Sequence, residues 1–356
     1  MSLARMREYM NTQNNISKNT LQNMRGQKVK IFDTDEMLKR KSASNLKSNV
    51  HQIMSLYLNF LSGTAGEIDL IEVNRSLFNE LMHLVLKFPN FKLVIEFYIE
   101  QISLQLLDEH GFFVSDPVLI VGDAGVGKTA FCHALSAIFR VPFEVIGLSS
   151  ATAGFIISGM SAGWADGKAG KIVECLAKNC VANPIILLDE IDKVSSDIRY
   201  DPLGSLYQLL EFDTAKNFVD EGLEVKVDCT YINWIATANS LDYIPEPILS
   251  RFTIFHISSP TKKEMKKVIN SIYIKTLNNN KWGKFFSTKL SECAINKIID
   301  SEITPRHMTK ELKSACAKAA KEHVFINKKI IKDKFVITED NIDIIYDPEK
   351  PRIGFI

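Results

Sequence analysis

Short, mostly apolar runs punctuate the middle of the chain: Val118 to Val121, Phe143 to Ile146, Ile185 to Leu188, Ile232 to Ala238 and Phe252 to Ile257. A run without polar alternation suits a strand buried on both faces, as in a parallel sheet covered by helices. Between these runs apolar residues recur three and four apart, which predicts helices on both faces of that sheet. Upstream, Val50 to Leu61 and Val73 to Leu86 carry the helical period, and Phe91 to Leu107 continues it. The first 48 residues are polar, with 10 basic and 4 acidic side chains, and predict a flexible or loosely helical segment.

The expected organisation is therefore a polar segment over 1–48, a helical region over 49–106, an α/β core over 107–259, and a helical lid with a tail over 260–356. A chain of 356 residues with 46% hydrophobic content is long and apolar enough for about two packed units. No apolar run reaches the ~18 residues of a membrane span, and the N-terminus lacks the apolar core of a signal peptide. The six cysteines are scattered without C-x-x-C pairs, so they read as reduced thiols of a cytoplasmic protein.

A net charge of +1 conceals an asymmetry. Residues 107–259 hold 20 acidic and 10 basic side chains, whereas residues 260–334 hold 7 acidic and 18 basic. That contrast fits docking subdomains or a basic face for an acidic partner. The lysines are spread at helical spacing and are not interleaved with aromatics, the pattern of solvated helix faces.

The run Val118 to Val121 stops at Gly122, and Gly122, Gly127, Lys128 and Thr129 complete G-x-x-x-x-G-K-[ST], the P-loop signature. Glycines let backbone wrap a polyphosphate, and amides at the following helix start donate to its oxygens. ATP would thus lie along Gly122, Asp123, Ala124, Gly125, Val126, Gly127, Lys128, Thr129 and Ala130. Lys128 would pair with the β- and γ-phosphates and Thr129 would offer its hydroxyl to Mg²⁺.

Sixty-one residues after Lys128, the run PIILL enters Asp189, Glu190, Ile191 and Asp192. Two acids at the C-terminal end of a central strand lie where α/β sheets hold ligands. Asp189 would hold Mg²⁺, and Glu190 would polarise the attacking water. The run INWIATA ends in Asn239, either a turn residue or an amide aimed at the γ-phosphate. Arg251, in IPEPILSRF, is either a surface ion pair or a guanidinium that neutralises charge on a transferred phosphoryl group.

P-loop, LLDEID, ATAN, a rim arginine and a basic helical segment, in this order, resemble an AAA+ ATPase. From Pro142 to Ile257 the text is similar to the ATPase module of the Lon proteases, through LLDEIDKV, LYQLLEFDTAKNFVDEGLEV and WIATANSLDYIPEPILSRF, and ITEDNIDIIYDPEKPRIGF resembles the close of that module. The resemblance runs from about Phe97 to the C-terminus.

It implies Asn239 as the sensor of the attacking water, Arg251 as an arginine finger reaching a neighbouring subunit, and Arg306 as a second sensor arginine. The local sequence agrees on Arg306, with Thr304 as N-cap and Pro305 at the first helical position. Trp164 falls where such modules carry the aromatic of a substrate-gripping pore loop, beside Ala165. A homo-oligomeric, hexameric ring acting on protein is implied. The alternative is an ATPase linked to nucleic acid, such as a helicase loader or a phage-defence motor. The sequence reaches Ile356 without the Ser-Lys dyad of a Lon protease domain, so the expectation is a motor that does not itself cut peptide bonds.

Overall fold

The computed structural model describes residues 25–42, 66–108, 110–149, 153–160, 168–194, 203–301, 303–321, 324–325 and 334–343. The predicted helix over Val50 to Leu61 lies outside them, as do Trp164 and Ala165. The chain divides into two compact units, 1–81 with 93–122 and 129–256, and 82–92 with 123–128 and 257–356.

The first unit is organised on a five-stranded parallel sheet in the order β4-β5-β8-β3-β9, formed by β3 (Val118–Val121), β4 (Phe143–Gly147), β5 (Ile185–Asp189), β8 (Asn233–Ala238) and β9 (Thr253–His256). β8 occupies the centre, and the P-loop strand β3 lies between β8 and β9 rather than in the middle. Every residue of β3 and β8 is buried, as are Ile185 to Leu188 of β5, whereas β4 and β9 are half-covered edges. The alternation-free runs have this cause: two faces need covering only on inner strands.

Two antiparallel pairs flank this sheet. β1 (Arg25–Lys30) pairs with β2 (Glu67–Ile71), with Val29 opposite Ile68, and β6 (Phe218–Asp220) pairs with β7 (Val225–Val227). β1 and α1 (Thr34–Ser42) lie within the stretch expected to be flexible or loosely helical. A lone polar strand has little local signal, and β1 is fixed by a partner some forty residues on. Helices α2 (Ser76–Lys87), α3 (Lys92–Gln105), α4 (Lys128–Phe139), α5 (Ala153–Ser158), α6 (Lys171–Asn179), α7 (Leu203–Leu209), α8 (Phe212–Ala215) and α9 (Glu246–Leu249) connect the strands.

At the sheet's N-terminal edge, two buried amides fasten the segment before β3. The Asn183 side chain donates to the carbonyls of Ile71 and Phe113 and accepts from the Ile71 amide. Asn233 accepts from the Ser115 amide and donates to the carbonyls of Phe113 and Asn183. These bonds satisfy polar groups that burial would otherwise penalise by ~1–3 kcal/mol each.

The second unit is helical. α10 (Lys262–Asn278), α11 (Glu292–Asp300) and α12 (Pro305–Lys321) enclose Ile269, Tyr273, Leu277, Ile298, Met308 and Leu312. α10 begins with a reciprocal cap, Thr261 with Glu264, and Ser291 caps α11 by accepting from the Ala294 amide. The Tyr273 hydroxyl is buried yet satisfied, donating to the Ser287 carbonyl at 2.9 Å. Among the described residues no helix is long and apolar enough to cross a membrane.

Candidate functional site

Within the first unit, parallel pairing brings the ends of β3, β5 and β8 to one sheet edge. Val121 is level with Ala238, Leu188 with Ala236, and the Gly122 amide donates to the Ala238 carbonyl at 3.1 Å. Asp189 is the last residue of β5 and Asn239 follows the last residue of β8. Strand register thus brings together residues fifty apart in sequence.

Two side chains that sequence reasoning passed over hold this edge. The buried Thr237 hydroxyl donates to Asp189 Oδ1 at 2.5 Å and accepts from the Glu190 amide at 3.1 Å. One hydroxyl therefore orients the candidate metal ligand and fixes the backbone of the candidate base. Asp192 Oδ2 accepts from the Asn239 amide at 2.9 Å and from the Ser240 amide at 3.3 Å, tying the tip of β8 to the turn after β5. The signal available was the spelling itself, the final Asp of DEID and the Thr of ATAN. What those residues bond to depends on register.

Glu190 adopts a left-handed conformation, φ 58° and ψ 51°, uncommon for a residue other than glycine or asparagine. It ends the strand abruptly and opens the 3₁₀ turn Ile191–Lys193. Lys193 donates to Glu190 Oε1 at 2.6 Å, and that bond holds the lysine above its ordinary pKa. Behind this edge, α4 buries Cys132, whose thiol is pushed well above its usual range by burial and by the negative charge of Asp189. A thiol held neutral is packing, not a nucleophile.

Arg251 lies beyond the short helix α9. One terminal nitrogen of its guanidinium donates to the Pro247 carbonyl, the other pairs with Glu211 Oε1 at 2.9 Å, and the group lies 5.7 Å from the Tyr207 ring centre.

In the second unit, the loop 123–128 shows the conformations that its glycines permit. Gly125 has φ +90° and Gly127 has φ +104°, a region that side chains rarely enter. A Cβ on Gly125 would stand 3.1–3.3 Å from three atoms of the Thr304 side chain, so bare backbone is required. Lys128 begins α4 and donates to the Asp123 carbonyl at 3.1 Å, curling over its own loop. Thr304, against Gly125, immediately precedes α12, which carries the exposed Arg306 at its second position. The Thr304 carbonyl accepts from the His307 and Met308 amides, while its hydroxyl meets His307 Nδ1 at 2.9 Å instead of capping an amide.

The segment with Trp164 and Ala165 lies outside the described residues, but its stems are defined. Met160 and Lys168 exchange both backbone bonds, at 2.8 and 3.0 Å. Gly159, Gly170 and Gly222 pack backbone to backbone: a Cβ on Gly222 would meet the Lys168 carbonyl at 2.0 Å. The buried Asp220 closes the cluster by accepting from the Gly170 amide at 2.8 Å and the Leu223 amide at 2.9 Å. Burial raises its carboxyl to about 6 despite those bonds.

Each part by itself fits a piece of a nucleoside triphosphate with its magnesium: in the second unit positive-φ glycines and a helix-initiating lysine suit phosphate, and in the first unit an oriented carboxylate suits a divalent cation. Comparison with known proteins agrees with that class. Residues 118–259 match the family described as ATPase family associated with various cellular activities (AAA). Over those residues the chain is similar to an AAA module.

That module resembles the one in Lon protease. The Lon protease of Brevibacillus choshinensis is 30% identical over 243 residues, 67% of this chain and 31% of that protein. The Lon protease of Buchnera aphidicola subsp. Acyrthosiphon pisum is 32% identical over 232 residues, 62% of this chain and 30% of that protein. The chain spans about 30% of the length of the curated relatives it matches. Among solved structures, a closed-state cryo-EM reconstruction of Hsp104 with ATPγS and casein superposes with a TM-score of 0.56 at 16% identity, over 74% of this chain and 50% of that one. At that identity the likeness is one of fold.

Proposed function

We propose that the protein is an ATP-hydrolysing motor that assembles into a homo-oligomeric, hexameric ring and remodels or unfolds a protein substrate. The observation that carries the reading is the bonded acid edge, in which Thr237 and Asp192 lock Asp189, Glu190 and Asn239 into one frame. A turn with a merely structural task has no need of a carboxylate oriented by a buried hydroxyl that also fixes the backbone of the next acid.

In this reading Lys128 and the amides of the loop bind the triphosphate, and Thr129 with Asp189 would hold Mg²⁺, which neutralises charge on the phosphate oxygens. Glu190 accepts a proton from the attacking water at its carboxylate, and Asn239 orients that water. Lys193 donates to Glu190 Oε1, so the carboxylate must leave or share that partner to act as base. Arg251 and Arg306 supply cationic charge at the phosphoryl group, Arg251 from the adjacent subunit. Trp164, with Ala165, grips the substrate chain. The names of the relatives support this role: Lon is named a protease, and the Hsp104 reconstructions contain casein.

The decisive test is ATPase rate on purified protein, alone and with unfolded polypeptide, single-stranded DNA or duplex DNA, at two salt concentrations. Stimulation by polypeptide that Trp164→Ala removes is the expected result. The basic composition of residues 260–334 favours a second reading, a nucleic-acid-linked ATPase. Stimulation by DNA that collapses at the higher salt would replace the first reading with that one.

A further inference from the structure

Arg251 is held more closely than a mobile surface arginine. Its side chain is 22% exposed. Its backbone is fixed as well, since the Arg251 amide donates to the Ile248 carbonyl at 3.1 Å at the end of α9. Three further groups meet its guanidinium: the Pro247 carbonyl from α9, the Glu211 carboxylate at the start of α8, and the Tyr207 ring from α7. Those contacts engage one N–H on each terminal nitrogen, and a guanidinium has five donors. Among the described residues Nε is buried without a hydrogen-bond partner.

A side chain that merely closed a surface ion pair would not need an aromatic face, a carbonyl and a carboxylate arriving from three helices. Nor would it strand a buried donor, which folding disfavours. The arrangement suits an arginine whose orientation is set before it meets its target. Arginine is long and loses much rotamer freedom when it is fixed, so a site that fixes it in the free subunit spares that loss at the moment of use.

We infer that Glu211 and Tyr207 are positioning residues for Arg251, holding its guanidinium in one orientation with donors left over for the polyphosphate bound to a neighbouring copy of this chain. The inference rests on the reading of Arg251 as acting on the adjacent subunit. Glu211 is half exposed, so its pairing is screened, and the donors it leaves unused can meet a polyphosphate while the guanidinium keeps its orientation.

The test separates the inference from the reading beneath it. An Arg251→Ala protein keeps its own P-loop but can donate no arginine, and a Lys128→Ala protein has a disabled P-loop but an intact Arg251. ATPase activity is measured in mixtures of the two, with assembly followed by light scattering. The same mixture is then made with Lys128→Ala/Glu211→Gln, with Lys128→Ala/Glu211→Asp and with Lys128→Ala/Tyr207→Leu as the donor. The expected result is restored activity in the first mixture, a fall of about fivefold with the Glu211→Gln donor, a smaller fall with Glu211→Asp, and an unchanged KM for ATP. Tyr207→Leu should behave like Glu211→Gln.

The altered donor performs no hydrolysis itself, so any loss must act through the arginine it lends. Equal activity with the unmodified and Glu211→Gln donors, both assembled, would overturn the inference and leave the reading of Arg251 intact. Higher activity with Glu211→Gln would overturn it too, by making Glu211 a latch that withholds the arginine. No activity in the first mixture, with both proteins assembled, would remove the reading itself.

Discussion

At the end of β5 the geometry is held by side chains, whereas in the loop before α4 it is held by backbone conformation. The acid edge depends on a hydroxyl and a carboxylate, Thr237 and Asp192, each bridging two chain segments. The loop depends on positive φ at Gly125 and Gly127 and on the bare approach of Gly125 to Thr304. The first kind of order is sensitive to removing a polar atom. The second is sensitive to adding a carbon. In the proposed reading, cradling a polyphosphate rests on steric permission and positioning a base rests on directional bonding.

Substitutions that respect this distinction should separate binding from hydrolysis. The largest effect is expected of Glu190→Gln, which preserves volume but cannot take a proton: ATP turnover should fall by at least ~10²-fold while titration shows nucleotide still bound. Loss of binding in that variant would mean that Glu190 serves the cradle and not the chemistry. Next comes Gly127→Ala. A non-glycine residue at φ +104° is strained by ~1–3 kcal/mol, and calorimetric titration should show ATP affinity weakened by roughly tenfold or more with the circular dichroism unchanged. An alanine variant binding as wild type would show that the loop changes conformation around its ligand.

Smaller again is Thr237→Val. It leaves the half-buried Asp189 oxygen and the Glu190 amide without their shared partner, a loss of ~1–3 kcal/mol that thermal unfolding should register and Thr237→Ser should largely recover. Failure of serine to recover it would assign the loss to the missing methyl, not the hydroxyl.

The last effect concerns pH. The Asp220 carboxyl lies at about 6 in the folded protein against an ordinary 3.8, because burial disfavours its charge. The folded state therefore binds the extra proton between those values, and this contribution to stability is present at low pH and lost as pH rises through about 6. Asp220→Asn should flatten the dependence of melting temperature on pH across that window. Parallel wild-type and variant profiles would place the titration elsewhere.

The sheet was legible because its inner strands are buried on both faces: Val118 to Val121 was read to the residue, and β5 and β8 to within one. β1 and β6 were not, since RGQKVK and FVD are too polar or too short to show a period and owe their pairing to partners elsewhere. The loop glycines, Lys128, Asp189 and Asn239 were visible as contiguous motifs. The bonds of Thr237, Asp192 and Glu211 were not visible, because contacts across forty to fifty residues exist only once strands are in register and the helices between them are packed. Arg251 was left between ion pair and phosphate partner, and in this subunit it makes an ion pair with Glu211.

The left-handed backbone at Glu190 has a bearing on how this protein can be improved. Holding a glutamate there costs roughly 1–2 kcal/mol that glycine would not incur, and asparagine less than most. A screen for heat-resistant variants would therefore favour replacing the residue proposed as the base. At position 190 thermal robustness and turnover pull in opposite directions, and the glutamate is kept there against the preference of its own backbone.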